Sequence, residues 1–332
     1  MKVSLLSLLL AILPTLLAFP HNVIPNHNLP HKRSVLINNF EFAFDLIHEI
    51  VKKHSILQKF TIITDNPSKA NEISIFFQEE HSIFYDHLNA TPKLSGKVPV
   101  MDYPNETYRV HVNKLDYSNR VDIVVEYSLP NIYNYETSGH YPDVVKKMVY
   151  VPPLMFPYFK DEPDYNEEHP LERNYNIATT IINYHMSGRR WEKLEYMRVN
   201  QTLEFTNFAR SFSHQEQHDM FGNIKVLINM HQSPYYHTLE EFRLIPALLR
   251  GVVIVSEDVP LRELVPYSKY IVWCKLDQLY ETVSNVSNHY DYYYNLIHGK
   301  DSGLRDIFRE LRANASAALE AKLLEVAERK YH

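Results

Sequence analysis

The sequence predicts an α/β chain of two doubly wound, Rossmann-like domains closed by a long C-terminal helix, on three observations. Short β-branched apolar runs alternate with amphipathic helical patterns along most of the chain. Residues 157–173, with Tyr158-Phe159-Lys160-Asp161-Glu162-Pro163-Asp164-Tyr165 at their centre, lack any apolar period and read as a linker between two such alternations. Ser302 to Arg329 then carries apolar residues at helical spacing with Arg305, Arg309, Glu310 and Glu320 among them. These observations divide the chain into an N-terminal domain at 34–156, a linker at 157–174, a C-terminal domain at 175–300 and a terminal helix at 301–332.

In chain order, Val35 to Phe40 reads as a strand and Phe42 to Lys53 as an amphipathic helix. Phe60 to Thr64 is a second strand, and Lys69 to Leu88 reads as mostly helical from its three- and four-residue apolar spacing. Tyr108 to Val112 and Val121 to Val125 are further strands, and Val144 to Val151 turns from helix to strand. The second half opens on a strand at Tyr175 to Asn183. It continues with helices at Arg189–Arg198, Thr238–Arg250 and Leu276–Ser284, and strands at Lys225–Met230, Val252–Val255 and Tyr270–Trp273. Thr238 stands as N-cap with Glu241 at the capping-box position, and Gly251 ends that helix.

Composition narrows the function classes. A net charge of −6 gives no concentrated basic face for nucleic acid. Only 7 glycines are present, so the chain has no Gly-rich phosphate loop, whether of the GxGxxG or the P-loop kind. No Asp-x-Asp pair, no His/Cys spacing suited to zinc and no Gly-x-Ser-x-Gly elbow occurs, so neither a metal site nor a serine hydrolase is expected. The lone Cys274 sits in an apolar strand pattern and reads as a packed thiol.

The N-terminus carries Met1-Lys2, an uncharged apolar run from Leu5 to Phe19 and a small residue at Ala18, the pattern of a secretory signal peptide over 1–18. An uncleaved anchor is the alternative. His31-Lys32-Arg33-Ser34 offers dibasic processing, which leaves 19–33 as a propeptide or a linker. Sequons at Asn89, Asn105, Asn200, Asn285 and Asn314 fit a glycoprotein of the secretory pathway, in the ER/Golgi lumen or secreted.

The candidate site lies between Lys225 and Cys274, because ligands of open α/β sheets bind past the carboxyl ends of the strands. His231 and Ser256-Glu257 fall at two such ends, and Glu240, Glu241 and Arg243 lie on the first turns of the intervening helix. Arg189 and Arg190 stand where a strand gives way to a helix, with Lys193 one turn on. Cations there oppose the helix dipole, which argues for an anion between them, although a solvated helix start is the plainer reading. Glu241 is equally a cap, and His231 equally a structural histidine. Glu126 ends the strand Val121–Val125 facing the presumed cleft and is the candidate general base. Asn131 and His140 in the following loop, and Asn38 and Asn39 at the end of the first strand, are candidate acceptor contacts. His289 to Tyr294 is either a carbohydrate-facing aromatic patch or a helix with one packed tyrosine face.

The second half resembles the donor-binding domain of GT-B glycosyltransferases in motif order. Gly251 to Leu264 looks like that family's run of glycine, apolar strand, small or acidic residue and Arg-Glu at a helix start; Ile181-Ile182 through Gly188-Arg189-Arg190 and Lys193 looks like its first strand and diphosphate-holding basic pair. The likeness covers about residues 175–275. Glu240 and Glu241 precede Gly251 by eleven and ten positions, unlike the retaining branch's two glutamates seven apart. The resemblance implies a metal-independent glycosyltransferase with no bound cofactor. Its donor would be a nucleotide-sugar and its acceptor a carbohydrate or glycoconjugate; Arg189, Arg190, Lys193, His231, Glu240, Glu241, Arg243, Ser256 and Glu257 would face the donor. Two alternatives share the architecture: a catalytically inactive, secreted sugar- or protein-binding module, and a periplasmic-binding-protein-like receptor.

Overall fold

The computed structural model describes residues 41–64, 67–78, 83–85, 98–103, 106–110, 115–139, 141–153, 172–181, 188–208, 214–231 and 238–331. The expected signal peptide and propeptide, the strand at Val35–Phe40, Asn38, Asn39, Asn89, Asn105, His140 and the linker over 157–171 lie outside them.

The first helix, α1 (Glu41–Lys53), buries Leu46, Ile47 and Ile50 and ends on Lys52 and Lys53, which suit the negative end of its dipole. Strands β1 (Thr61–Ile63), β2 (Glu72–Gln78), β6 (Ile123–Glu126) and β7 (Met148–Tyr150) form a four-stranded parallel sheet in the order β1-β2-β6-β7. All seven residues of β2 and all four of β6 are buried. Sheets covered on both faces are built from such continuous apolar runs.

Two expectations fail in this half. The segment read as helix over Lys69–Leu88 is strand β2 followed by β3 (Ile83–Tyr85). Ile73, Ile75, Phe76 and Phe77 satisfy a helical spacing, but a run of β-branched and aromatic side chains buried on both faces is a central strand. The strand at Tyr108–Val112 belongs to no doubly wound sheet. It is β5 (Glu106–Val110), the centre of an antiparallel three-stranded sheet β3-β5-β4 with β4 (Val98–Tyr103), which the sequence reading missed. Short helices α2 (Leu115–Arg120), α3 (Leu129–Ser138) and α4 (Pro142–Val145) complete this half.

The second sheet is parallel and five-stranded, with β8 (Tyr175–Thr179), β9 (Thr206–Asn207), β10 (Ile224–Asn229), β11 (Val253–Glu257) and β12 (Val272–Cys274) in the order β12-β11-β10-β8-β9. Helices α5 (Gly188–Asn200), α6 (His214–Gly222) and α7 (Glu241–Leu249) connect its strands. Gly251, at φ +72°, closes α7 in the left-handed conformation, with its N–H on the Leu248 carbonyl. Thr238 is not the cap of α7, since the helix starts at Glu241 with no side-chain cap.

Helices α8 (Leu279–Asn288) and α9 (Tyr290–His298) pack beside this sheet. Tyr290 and Tyr294 are buried and Tyr292 is exposed, so the aromatic run is a helix with one packed face. Cys274 is buried, and burial pushes its thiol up to about 11. Of the sequons within the described residues, Asn200, Asn285 and Asn314 are exposed.

The last helix, α10 (Leu304–Tyr331), buries Leu304, Phe308, Leu311, Ala315, Leu319, Leu323 and Val326 as one stripe and runs back to touch α1 and β7. Its end is tied to the first sheet by Lys330, which donates to Asp122 Oδ2 at 2.7 Å and to the Glu72 carbonyl at 2.7 Å. Asp122 Oδ2 also accepts from the Ser74 N–H at 2.9 Å and the Ser74 hydroxyl at 3.0 Å. Asp122→Ala, which strands these donors, should lower stability by about 1–3 kcal/mol in denaturant unfolding. Among the described residues no helix is long and apolar enough to cross a membrane.

Candidate functional site

The order β12-β11-β10-β8-β9 reverses direction between β8 and β10, the place where ligands of open parallel sheets bind. The carboxyl end of β10 delivers Asn229, Met230 and His231, and that of β11 delivers Ser256 and Glu257. The first turn of α5, which follows β8, delivers Arg189 and Arg190, and the start of α7 delivers Glu240 and Arg243.

Two ion-pair groups form there. Arg189 grips Glu257 with both terminal nitrogens, Nη1 donating to Oε2 at 2.8 Å and Nη2 donating to Oε1. Arg189 Nη1 also donates to the His231 carbonyl at 3.2 Å, and the His231 N–H donates to Glu257 Oε2 at 3.1 Å. Burial alone would raise the Glu257 carboxyl, but the Arg189 hydrogen bonds and the neighbouring His231 outweigh it and hold the group below its ordinary range.

In the second group, Arg190 Nη2 donates to Glu240 Oε1 at 2.5 Å and its Nε donates to the Met230 carbonyl at 2.9 Å. Arg243 pairs with the other oxygen of Glu240 and donates to Asn229 Oδ1 at 3.0 Å. Asn229 Nδ2 donates to Ser256 Oγ at 3.0 Å, and Ser256 donates to the Glu257 carbonyl at 2.9 Å. The two groups are thereby one network of three guanidiniums and two carboxylates, a positive excess at a strand-end crevice.

His231 is buried, which lowers its pKa against the opposing pull of Glu257, so the ring is neutral near pH 7. Its Nε2 lies 3.0 Å from the Asp258 carbonyl, which assigns the ring hydrogen to that nitrogen. Lys193 lies on the next turn of α5, half-buried.

The structure thus brings together Arg189, Arg190, His231, Glu240, Arg243, Ser256 and Glu257. Sequence reasoning missed Asn229, which links Arg243 to Ser256. The signal was present as the one amide, placed at the end of the apolar run Val226–Ile228.

Glu241 and Glu126 are placed elsewhere. Glu241 is buried on the other side of the α7 start and takes no part in a capping box. Glu126 does not face an open cleft. It is fully buried, and its Oε1 accepts from the Ser128 N–H at 3.1 Å and from Asn131 Nδ2 at 3.0 Å. Burial pushes its carboxyl up to about 8, against those two donors. The reason is the position of β6 beneath α3 and α7, which seals the strand end the sequence left open.

Among the described residues no group of three or more His, Cys, Asp and Glu side chains is arranged to hold a metal ion. No protein-family model and no curated protein matches the sequence. Among solved structures, the chain is similar to the crystal structure of the GtfA/B complex, with a TM-score of 0.39 and 12% identity over 79% of this chain and 53% of that one. It is also similar to the crystal structure of TarM, with a TM-score of 0.37 and 11% identity over 86% of this chain and 58% of that one. Both likenesses are distant, and the chain spans between half and three-fifths of the length of either solved chain.

Proposed function

We propose that the crevice between β8 and β10 binds the diphosphate of a nucleotide-sugar and that the chain is a GT-B-like glycosyltransferase. The observation that carries this reading is the cluster of Arg189, Arg190 and Arg243 at the strand-order reversal, held in place by Glu240 and Glu257. Arg189 and Arg243 keep about a fifth of their side-chain surface exposed, 20% and 21%, so each has donors left for phosphate oxygens while its position is fixed. The motif order of residues 175–275 supports the same assignment.

In the transfer, the acceptor hydroxyl oxygen bonds to the anomeric carbon as that carbon's bond to the diphosphate oxygen breaks. The nucleoside diphosphate leaves with the bonding electrons, and the hydroxyl proton passes to a base or to water. Guanidiniums stabilise the departing charge without a metal or a bound cofactor. The reading includes the two-domain division and a secretory-pathway setting with glycans at the predicted sequons. It places a carbohydrate or glycoconjugate acceptor on the N-terminal side, no nucleic-acid partner, and membrane anchoring only where the signal segment is uncleaved.

The test is equilibrium binding of uridine and guanosine diphosphate with and without a chelator. Arg189→Ala should weaken binding about tenfold or more, the value of one charge-assisted hydrogen bond at roughly 1.5–3 kcal/mol. Because that change leaves Glu257 unpaired, Arg189→Ala with Glu257→Gln is measured beside it. Unchanged affinity in both variants removes the phosphate role.

A second reading is binding without turnover. It is favoured by Glu126, which is sealed and neutral rather than poised as a base. Release of nucleoside diphosphate from a panel of nucleotide-sugars separates the two: release indicates an enzyme, and tight binding without release indicates the module.

A further inference from the structure

A second polar cluster lies between the two parallel sheets, apart from the arginine network. Glu126 ends β6 of the first sheet, and Glu241 opens α7, which follows β10 of the second. Both are buried, at 0% and 1% exposure. A hydrogen-bonded chain spans the seam: Thr238 Oγ1 donates to Asn131 Oδ1 at 3.1 Å, and Asn131 Nδ2 donates to Glu126 Oε1. Tyr127 packs on Phe242 beside it, with ring centroids 4.9 Å apart.

The other carboxyl oxygens, Glu126 Oε2 and Glu241 Oε2, are buried without a hydrogen-bond partner. So are the hydroxyls of Ser128, Tyr150 and Tyr267. The groups acting on Glu126 are Asn131 and the N–H groups of Ser128 and Tyr127; those acting on Glu241 are the Tyr267 and Ser128 hydroxyls and Glu126 itself. The Tyr267 and Ser128 hydroxyls face Glu241 without reaching normal hydrogen-bond geometry. Tyr127 feels both carboxyls together with Glu240 and Tyr135, and Tyr150 feels both carboxyls. The groups acting on the two carboxyls are thus amides, hydroxyls and the opposite carboxyl. Two carboxylates in that setting would each be a buried, uncompensated charge.

We propose that Glu126 and Glu241 are a proton-held seam: both sit as neutral carboxylic acids that keep the two sheets together, and loss of their protons opens the seam. In the neutral form each acid offers an O–H to a neighbouring oxygen and the pair carries no mutual repulsion. On ionisation two negative charges face each other, and hydration is gained only by parting β6 and α3 from α7. Burial is the main cause that raises both groups from 4.5 to about 8, so opening becomes easier as pH rises between those values. Glu240 and Arg243 lie on the same first turn of α7 as Glu241, so opening the seam also loosens one wall of the arginine site. The seam holds whatever ligand that site takes.

The experiment is hydrogen exchange of the full chain from pH 5 to 9.5, corrected for the intrinsic pH dependence of amide exchange. In the wild type, peptides covering 126–138 and 238–249 should gain opening by up to about tenfold per pH unit for each carboxyl, levelling above about pH 8. Glu126→Gln and Glu241→Gln should each flatten part of that slope, and the double variant should remove it. Corrected exchange at the seam that is independent of pH in the wild type overturns the proposal, as does an unchanged slope in either foldable variant. Seam peptides that exchange no faster than β10 and β11 at every pH report global unfolding alone and overturn it too.

Discussion

Glu240→Ala is expected to lower the unfolding free energy by roughly 3–5 kcal/mol, the cost of removing one partner from a buried ion pair. The side chains of Arg190 and Glu240 are only 6% and 15% exposed, so solvent does little to replace the lost carboxylate. Glu240 accepts from Arg190 with one oxygen and pairs with Arg243 through the other. Its removal leaves the buried Arg190 head with the Met230 carbonyl and returns Arg243 to Asn229 alone. Arg190→Met should cost clearly less, because it removes the buried charge and leaves Glu240 paired with Arg243. Guanidinium unfolding of the two variants side by side checks the ordering. A Glu240→Ala loss below about 1 kcal/mol would mean that the pair is worth no more than a surface contact.

This network also marks where sequence reading reached its limit. The strands β10 and β11 and the helix between them are legible because parallel strands buried on both faces read as unbroken apolar runs, and Gly251 punctuates the helix end. From these runs alone His231 and Glu257 fall at strand ends and Arg189 at a helix start. What the sequence leaves open is pairing. Arg189 finds Glu257 across 68 positions and Arg190 finds Glu240 across 50, and no local pattern encodes such partners.

Glu240 and Glu241 show the same limit at one-residue resolution. Successive helical side chains point about 100° apart, so one glutamate joins the arginines and its neighbour enters the seam. Capping chemistry at Thr238 and Glu241 fitted the local sequence, and a tertiary contact, Thr238 on Asn131, displaced it. The misread Lys69–Leu88 segment failed differently. Ile73, Ile75, Phe76 and Phe77 fit two periods at once, and burial on both faces of β2 decided between them.

The stability of the whole chain should fall as pH rises from 6.5 to about 8, and the double variant Glu126→Gln with Glu241→Gln should abolish that fall. Each carboxyl is raised in the fold from 4.5 to about 8. Between those values the unfolded chain has released the proton and the folded chain has kept it, so stability declines as pH rises, by at most about 1.4 kcal/mol per pH unit for each group. Above about pH 8 both states are ionised and the decline stops.

The buried histidines act with the opposite sign. His298, its Nε2 3.1 Å from the Val252 carbonyl, is lowered from 6.5 to about 3 by burial, and His231 is lowered by the same cause. Below 6.5 the unfolded chain protonates these rings before the folded chain does, so their contribution is lost as pH falls. From 4.5 to 6.5 the two effects oppose each other; from 6.5 to 8 the carboxyls act alone. Denaturant unfolding at pH 6.5 and pH 8 should therefore show the wild type losing stability and the double glutamine variant holding level. A wild-type loss that survives in the double variant would assign the alkaline limb to other groups and leave the seam carboxyls ionised throughout.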